Sequence, residues 1–362
     1  MILTYNGMIM TKRPTSINRV RECRAATGLT QAELAERAGI SRTTVTAIEA
    51  RRTVPSVAAA LALAKALETT VEILFGRRDS ADRPSAWAWD PPEKPRTFWA
   101  AEVNGQPWLY PAESSPMLTP LPDGMVACES SLPAVSSTAK ETLVIAGCDP
   151  AAGLLASEYS RATGMRMLVI PRSSRQALDL LQQGKVHIAG LHLSTEDEPE
   201  RNSQLVRDTL GSGFELLRIA CWQEGIATAP TLGVKSVRGA LRSKLRWIGR
   251  EPGSGARQCL DRLMGNRPGP RHLARHHRGV AEAVQNGWAD AGICVQLTCM
   301  EAGLGFLPVQ EEPYDVCIPR ALLDDRRVQA LLRVVRSKAY RTLLGQLPGY
   351  NTVETGSLQV VD

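Results

Sequence analysis

The sequence predicts a multi-domain protein in three parts: an all-α N-terminal domain, a small β-rich connector and a two-lobed α/β C-terminal domain. Short helical periods fill the first part, proline and tryptophan concentrate in the second, and strands alternate with helices in the third. A chain of 362 residues has room for two to three domains of ordinary size. We predict the boundaries 12–76, 77–140 and 141–350, followed by a C-terminal tail over 351–362.

The composition is that of a globular protein, with 43% hydrophobic and 22% charged residues. It excludes the collagen-like, coiled-coil and fully disordered classes. No apolar run reaches the roughly 18 residues of a membrane span, and residues 1–30 carry no secretory signal. The eight cysteines form no CxxC pair, which is typical of buried thiols in a reducing compartment. We therefore expect a cytoplasmic protein with no membrane partner.

The net charge of +6 is confined to the N-terminal part of the chain. Residues 1–78 contain 12 Lys and Arg against 6 Asp and Glu, whereas residues 79–362 contain 31 of each class. A basic module beside a neutral body indicates a polyanion partner for the module and a different task for the body.

Five short helices are predicted in the first domain, and cap residues precede two of them. Thr30 precedes a helix over 31–38, and Ser41 precedes a helix over 42–50. Gly39 allows a tight break between the two. This part of the chain therefore reads as two short helices joined by a short turn.

The segment GLTQAELAERAGISRTTVTAIEARRTVPS closely resembles the helix-turn-helix of the Cro/repressor, or XRE, family. Glu49 and Arg52 match the family's IE-x-GR pattern, whereas the usual Gly is replaced by Arg51. The resemblance implies a regulator that binds double-stranded DNA. Because this family mostly binds two-fold sites, it also implies a homodimer.

Residue types along these helices suit DNA. Helices joined by a short Gly-containing turn can place the second helix in the major groove. Hydroxyls and an Arg can read base edges there, while a Gln or further Arg side chains can bond phosphates. A helical protein-interaction module with a solvated basic face stays open as the alternative. We predict DNA contacts from Gln31, Ser41, Arg42, Thr43, Thr44, Thr46, Arg51 and Arg52.

The connector is rich in proline and holds four of the seven tryptophans. Residues 77–96 read as a linker. Residues 98–110 predict a β-hairpin with Asn104-Gly105 at its turn, and Pro122-Asp123-Gly124 predicts a second turn. We expect a small β element rather than a complete domain.

From residue 141 onward, β-rich segments alternate with helical ones, which predicts a parallel sheet with helices on its faces. The pattern continues to residue 344 and is too long for one compact lobe, so we expect two lobes with a cleft between them. The first strands and helices are predicted at 142–146, 152–163, 165–170, 175–183 and 186–191.

Four segments resemble the two-lobed fold of periplasmic binding proteins, and more closely a cytoplasmic version fused to helix-turn-helix domains. They are AGCDPAAGLLA, VHIAGLHLS, GREPGSGARQCLDRL and GWADAGI, and EEPYDVCIP follows them. This version is similar to molybdate- and tungstate-type oxyanion binders. The resemblance implies a small anionic effector, such as molybdate or tungstate, and no further cofactor.

Polar residues follow the strands of the predicted sheet, where ligands of open α/β sheets bind. In the second lobe, a Pro-Gly-Ser-Gly run opens a helix whose N-terminus favours an anion, and an Arg in its first turn can bind an oxyanion bidentately. We predict ligand contacts from Cys148, Asp149, Ser173, Ser174, His192, Ser254, Gly255, Ala256, Arg257 and Tyr314.

Each of these residues also has an ordinary structural interpretation, and both stay open. Asp149 can cap a helix, Arg257 can pair with Glu251, and His192 can be a structural histidine. Cys148 reads as a buried spacer because no base is identifiable beside it.

Three further histidines invite a metal interpretation. His272 and His276 stand four residues apart, as helical metal ligands do, but prolines precede them and no acidic or Cys ligand is near in sequence. A solvated loop and helix start is favoured, and we expect no metal site there. His277 opens the following helix and could face the cleft.

The sequence as a whole predicts a ligand-responsive one-component transcriptional regulator and not an enzyme. Binding of the effector would close the lobes and alter operator affinity. One alternative is an enzyme that uses Cys148, Asp149 and His192 in the cleft, although no nucleophile–base pair, metal set or dinucleotide fingerprint supports it. The other is a DNA-tethered scaffold whose second domain binds only protein.

Overall fold

A computed structural model describes residues 18–75, 84–91, 96–112, 121–126 and 137–362. The chain divides into two compact units, Met1–Arg83 and Pro84–Asp362. The first is helical, and the second is a large two-lobed α/β unit, which confirms the predicted fold class. The predicted start at residue 12 and most of the predicted linker lie outside the described residues.

The described part of the first unit contains five helices packed around one apolar core. A capping box begins the second helix, because Thr30 Oγ1 accepts a bond from the Glu33 N–H and the Glu33 carboxylate accepts one from the Thr30 N–H. Gly39 ends that helix in the left-handed region, with φ +63°. The helices are α1 (Val20–Ala26), α2 (Gln31–Ala38), α3 (Arg42–Glu49), α4 (Val57–Ala66) and α5 (Val71–Phe75).

The connector forms a small four-stranded sheet within the second unit. Both residues of the predicted hairpin turn have positive φ, 52° at Asn104 and 72° at Gly105, as a tight two-residue hairpin requires. Trp108 Nε1 donates to the Gly184 carbonyl at 3.0 Å, which joins the sheet to the first lobe. Its strands, in spatial order, are β1 (Ala86–Trp87), β3 (Gln106–Pro111), β2 (Thr97–Val103) and β4 (Gly124–Met125).

A mixed sheet forms the centre of the second unit, in the order β10-β9-β11-β8-β12-β7-β5-β6, with β13 and β14 also paired to β8. Its strands are β5 (Thr142–Gly147), β6 (Arg166–Pro171), β7 (Ile188–Leu191), β8 (Phe214–Thr228), β9 (Trp247–Arg250), β10 (Leu273–Ala274), β11 (Ala291–Val295), β12 (Gly305–Pro319), β13 (Tyr350–Asn351) and β14 (Leu358–Val361).

The prediction of a parallel sheet is wrong at the two longest strands. β8 and β12 have 15 residues each and pair antiparallel along their length. β8 crosses from the first lobe to the second and β12 crosses back, so the two run in opposite directions. The strands β5, β6 and β7 are parallel on the first lobe's side, and β9, β10 and β11 are parallel on the second lobe's side.

Alternate residues of a strand point to opposite faces of the sheet, and β5 shows the consequence. Leu143 and Ile145 pack into one apolar core, while Val144 and Ala146 pack into another that also contains Trp99 of the connector. All four β5 side chains are buried, and each large one stabilises the fold by about 1.5–3 kcal/mol. The first lobe therefore has a core on each face of its sheet.

Helices cover the sheet of the second unit. The helix predicted to end at residue 344 is two helices, because Ser337 is extended and caps the second. The predicted tail 351–362 instead supplies β14, whose Val361 is buried. No helix in the described part is long and apolar enough to cross a membrane. The helices are α6 (Ser137–Lys140), α7 (Ala152–Thr163), α8 (Ser174–Gln182), α9 (Arg201–Leu210), α10 (Val237–Arg242), α11 (Gly255–Met264), α12 (His277–Gln285), α13 (Gln296–Glu301), α14 (Arg326–Arg336) and α15 (Lys338–Leu344).

Candidate ligand site and DNA interface

A buried polar cluster lies where the two lobes meet. The first lobe contributes residues that follow β5 and β7, the second contributes the end of β9 and the start of α12, and the crossing strands β8 and β12 contribute two carboxyl groups. All of these side chains are at most 5% exposed. The cluster consists of Cys148, His192, Glu224, Arg250, His277 and Glu312.

His192 is at the centre of this cluster. Its Nε2 lies 2.9 Å from Cys148 Sγ, and its Nδ1 lies 2.9 Å from Glu312 Oε2. Burial lowers the pKa of His192, but the charges of Cys148 and Glu224 outweigh burial and hold it above its ordinary value. The prediction that Cys148 has no base beside it is therefore wrong, because the neighbouring parallel strands β5 and β7 bring the two loops together.

Two carboxyl groups meet on the crossing strands. Gln310 Nε2 donates to Glu224 Oε2 at 3.2 Å and to Glu312 Oε1 at 2.6 Å. Burial and the neighbouring Glu312 raise the pKa of Glu224 well above its ordinary value, and burial raises that of Glu312. Sequence reasoning missed both residues because they lie inside strands, whereas it searched the loops that follow strands.

Asp149 has two partners on one oxygen and none on the other. Its Oδ1 accepts from the Tyr350 hydroxyl at 2.6 Å and from the Ala151 N–H at 2.8 Å. Its Oδ2 is buried and has no hydrogen-bond partner among the described residues. The bond from the Ala151 N–H is the helix-capping role that the sequence left open for Asp149. Its Oδ2, which has no partner among the described residues, leaves room for a ligand contact.

Tyr314 crosses between the lobes, and glycines make space for it. Its ring stacks on Trp222, with 4.8 Å between the centroids. A Cβ atom at Gly147 or at Gly190 would overlap the Tyr314 hydroxyl oxygen. Both positions lie in strands of the first lobe, so only glycine allows this aromatic wall to approach them.

The start of α11 packs against His192. Ser254 caps the helix, because its Oγ accepts from the Arg257 N–H at 3.2 Å. A Cβ atom at Gly255 would overlap the carbonyl oxygen of His192, and the next residue, Ala256, is buried. The loop before α11, predicted to bind the ligand, therefore contacts the first lobe directly. The Ser254 hydroxyl already caps the start of α11.

The charged residue that this loop directs to the junction is Arg250 rather than Arg257. Arg257 Nε donates to both carboxylate oxygens of Asp261 at 2.8 Å. Arg250 is 1% exposed and donates to Glu251 at 3.0 and 3.1 Å. Its Nη1 has no partner in the part of the chain that the structure describes. Arg250 is the last residue of β9, and that position was the signal that could have found it.

The other predicted ligand residues of the first lobe lie beside His192. Ser174 Oγ accepts from the His192 N–H at 3.2 Å, and Ser173 is buried at the start of α8. Neither hydroxyl is exposed to solvent. Ser174 is thus placed to hold the loop of His192 in position, whereas the Ser173 hydroxyl has no hydrogen-bond partner among the described residues.

His277 differs from the two histidines that precede it. His272 is exposed, and His276 caps α12 by accepting from the Gly279 N–H at 2.9 Å. His277 is 1% exposed, and both of its ring nitrogens lack partners within the described ranges. Ligand atoms of Cys148, His192 and His277 lie within 4.8 Å of one another, as do those of His192, Glu224 and Glu312.

The start of α3 presents the predicted DNA-contacting face. Ser41, Arg42 and Thr43 are exposed, as are Arg51 and Arg52 beyond the helix. Arg51 has φ +58°, the left-handed conformation that the family's usual glycine adopts without strain. All five exposed side chains are cationic or hydroxylic and lie outside the apolar core, and Thr44 is half-buried beside them.

Gln31 joins α2 to α3. Its Nε2 donates to Glu49 Oε2 at 2.7 Å, and its Oε1 accepts from the Thr46 hydroxyl at 3.1 Å. Glu49 also pairs with Arg24 at 2.6 Å. Two of the predicted DNA-binding residues, Gln31 and Thr46, therefore contact each other, and their bonds fix the angle between the two helices.

Two families match this chain. Residues 20–74 match the family described as Helix-turn-helix, and residues 156–336 match the PBP superfamily domain. The uncharacterized protein YvgK of Bacillus subtilis (strain 168) is 28% identical over 229 residues, which cover 60% of this chain and 74% of YvgK.

Solved structures also resemble the chain. An ABC-type phosphate transport receptor from Vibrio cholerae has a TM-score of 0.41 and 15% identity, covering 58% of this chain and 99% of its own. The tungstate ABC transporter protein from Geobacter sulfurreducens has a TM-score of 0.43 and 14% identity, covering 57% and 98%. Because the second family match spans half of the residues, this chain belongs to the PBP superfamily, with a helix-turn-helix domain preceding the PBP domain.

Proposed function

We propose that this protein is a transcriptional regulator that binds operator DNA through α2 and α3 and a small anion at the junction of its two lobes. It acts in the cytoplasm as a homodimer. The observation that carries the proposal is the buried Arg250, whose Nη1 has no partner among the described residues and lies in a ligand-binding fold that is joined to a DNA-binding domain.

Unpaired donors support an anionic effector. A buried polar group without a partner costs about 1–3 kcal/mol, so its retention at a lobe junction favours a bound acceptor. Arg250 Nη1 is such a group in the described chain, and so is the single N–H of the neutral His277 ring, because neither of its ring nitrogens has a partner there. A tetrahedral oxyanion of the molybdate or tungstate type offers acceptor oxygens in every direction, and Arg is well suited to bind one.

The DNA half of the proposal depends on charge and exposure. The excess positive charge lies in residues 1–78, and Arg42, Arg51 and Arg52 are exposed around α3. Neutralising phosphates with such side chains releases counterions, so affinity should fall steeply with salt. In a homodimer, an effector that changes the lobes would change the spacing of two α3 helices, and operator affinity with it.

A matched pair of arginine variants tests the effector site. We expect Arg250→Gln to weaken molybdate or tungstate binding about tenfold to a hundredfold, because a charge-assisted bond contributes about 1.5–3 kcal/mol. Arg257→Gln, which removes a cation seven positions later that is paired with Asp261, should leave anion affinity unchanged. Calorimetry with each anion, and with sulfate and phosphate as competitors, measures both.

Equal anion binding by both variants and the parent would refute this site. Melting curves of the unliganded variants show whether Arg250→Gln is folded, and Arg250→Lys, which keeps the charge, should retain part of the affinity. Operator sequences selected from a random DNA library by the full-length protein then report the regulatory half. DNA affinity that is the same with and without a saturating anion would contradict an effector role.

A thiol-dependent enzyme is the second candidate, because one observation favours it. Cys148, His192 and Glu312 form a hydrogen-bonded chain with both links at 2.9 Å, the arrangement of nucleophile, base and orienting acid. Turnover of activated thioesters that is lost in Cys148→Ser would support it. Alkylation of Cys148 at the rate of an ordinary buried thiol would count against it.

A further inference from the structure

The junction of the lobes brings together three buried side chains of the types that ligate transition metals. We propose that Cys148, His192 and His277 bind a single divalent ion of the zinc class. One ligand atom from each of these buried residues lies within 4.8 Å of the other two. Thiolate and imidazole are the donors that borderline-soft dications prefer.

Only small movements separate the observed contacts from coordination. Bonds of about 2.3 Å to sulfur and 2.0–2.1 Å to nitrogen, at a tetrahedral angle, place the two atoms about 3.5 Å apart. Cys148 Sγ and His192 Nε2 are 2.9 Å apart, so small rotations of these side chains admit the ion. The ion takes the place of the proton that the two atoms now share.

His277 supplies the independent evidence for a ligand. It is 1% exposed, and neither of its ring nitrogens has a partner in the described part of the chain. A histidine that only filled the core would satisfy at least one nitrogen, as His276 does with the Gly279 N–H. The nearest ring to His277 in the first lobe is that of His192, with 5.8 Å between centroids.

Glu312 positions His192 for this role. Its Oε2 accepts from Nδ1 at 2.9 Å and from Trp222 Nε1 at 3.2 Å, which leaves Nε2 directed to Cys148. A carboxylate on the far nitrogen of a ligating histidine fixes its orientation and raises its basicity. Glu312 is therefore a positioning residue in the proposed site.

Three protein ligands leave a fourth position open, as in zinc sites that bind an exogenous group. The metal site does not depend on the proposed function. Only the identity of the group in the fourth position rests on it, namely the anionic effector. A second set in the same cluster, His192 with Glu224 and Glu312, has harder donors. The thiol of Cys148 distinguishes the two sets.

Cobalt titration of the full-length protein, first stripped with a chelator, tests the proposal. We expect one Co²⁺ per chain, a thiolate-to-cobalt charge-transfer band in the near ultraviolet, and displacement by Zn²⁺. Cys148→Ser should abolish the band, and His277→Gln should lower affinity at least tenfold. The matched control is Cys221→Ser, which removes a half-buried thiol outside the set and should keep both band and affinity.

The positioning role has its own readout. Glu312→Gln should keep the charge-transfer band but lower affinity about 10–100-fold. Absence of the band in the parent, or its persistence in Cys148→Ser, overturns the proposal, as does loss of cobalt in Glu224→Gln but not in Cys148→Ser. If Cys148→Ser fails to fold, protection of Cys148 from iodoacetamide by Zn²⁺ in the unaltered chain decides instead. DNA binding without metal binding would refute this site alone.

Discussion

His187 should make the second unit sensitive to mild acid. Its Nδ1 accepts from the Val144 N–H at 3.0 Å, and its side chain is 1% exposed. Burial, reinforced by the charge of Arg327, lowers its pKa from 6.5 to about 3. Protonation would place a charge in the core and break the bond to Val144, so the folded state resists it.

The sign and size of the effect follow from linkage. The unfolded chain binds a proton at His187 below pH 6.5, whereas the folded chain does not until about pH 3. The contribution of the neutral His187 to the free energy of unfolding is therefore fully present above pH 6.5 and is lost as the pH falls toward 3. The loss from this one group is about 2 kcal/mol at pH 5 and about 3 kcal/mol at pH 4.

Urea unfolding from pH 4 to pH 8 measures this loss. All seven tryptophans lie between residues 84 and 362, so their fluorescence reports the second unit alone. His187→Asn keeps an acceptor for the Val144 N–H but cannot titrate in this range. The stability of the parent relative to His187→Asn should fall by about 3 kcal/mol between pH 8 and pH 4, because the other titrating groups cancel in the difference.

His187→Ala provides the control. It also removes the titration, but it leaves a cavity and an unpaired Val144 N–H, so it should be less stable than His187→Asn by a similar amount at every pH. A difference between parent and His187→Asn that does not change with pH would refute the reasoning. A parent protein that becomes more stable relative to His187→Asn as the pH falls would contradict the predicted direction of the effect.

Three further predictions concern other parts of the chain. Arg51→Gly should stabilise the first unit by about 1 kcal/mol, because glycine adopts the left-handed conformation at φ +58° without strain. Thermal unfolding followed by circular dichroism measures this change. An unchanged stability would count against backbone strain at Arg51. Gly147→Ala should destabilise the second unit by about 1–3 kcal/mol, because its Cβ would overlap the hydroxyl oxygen of Tyr314. A thermal melt in which adding Tyr314→Phe restores nothing would contradict that cause. Arg42→Ala should weaken selected operator DNA more than random DNA, by about 1–3 kcal/mol, whereas Arg52→Ala should weaken both alike; equal losses for Arg42→Ala would exclude base contact.

Local signals were strong enough to predict much of the fold. Thr30 and Gly39 bracket α2, and the bounds of that helix agree with the prediction because both caps are formed by neighbouring residues. The hairpin at Asn104-Gly105 was predictable for the same reason. The pairing of β8 with β12 was not predictable, since it joins residues 77 to 105 positions apart and no local signal encodes it.

Part of the candidate site was likewise predictable from local sequence, and part was not. Cys148 and His192 follow strands, and the rule that ligands bind beyond the carboxyl ends of strands brought both into the predicted ligand set, although it did not predict their contact. Glu224 and Glu312 are brought to the same point only by the register of β8 on β12, in which Glu224 pairs with Gln310 and Glu312 with Trp222. A register set by tertiary packing cannot be obtained from spacing along one chain.

The two crossing strands have a consequence for how the second unit melts. Because β8 and β12 are shared by both lobes, neither lobe can lose its sheet while the other keeps one, and residues 84–362 should unfold in a single cooperative transition. An effector held at the junction then raises the melting temperature of the whole unit by mass action. A separate transition seen by circular dichroism but not by tryptophan fluorescence would belong to the helices of residues 18–75. One thermal scan with these two probes therefore distinguishes effector binding, which stabilises residues 84–362, from DNA binding, which stabilises residues 18–75.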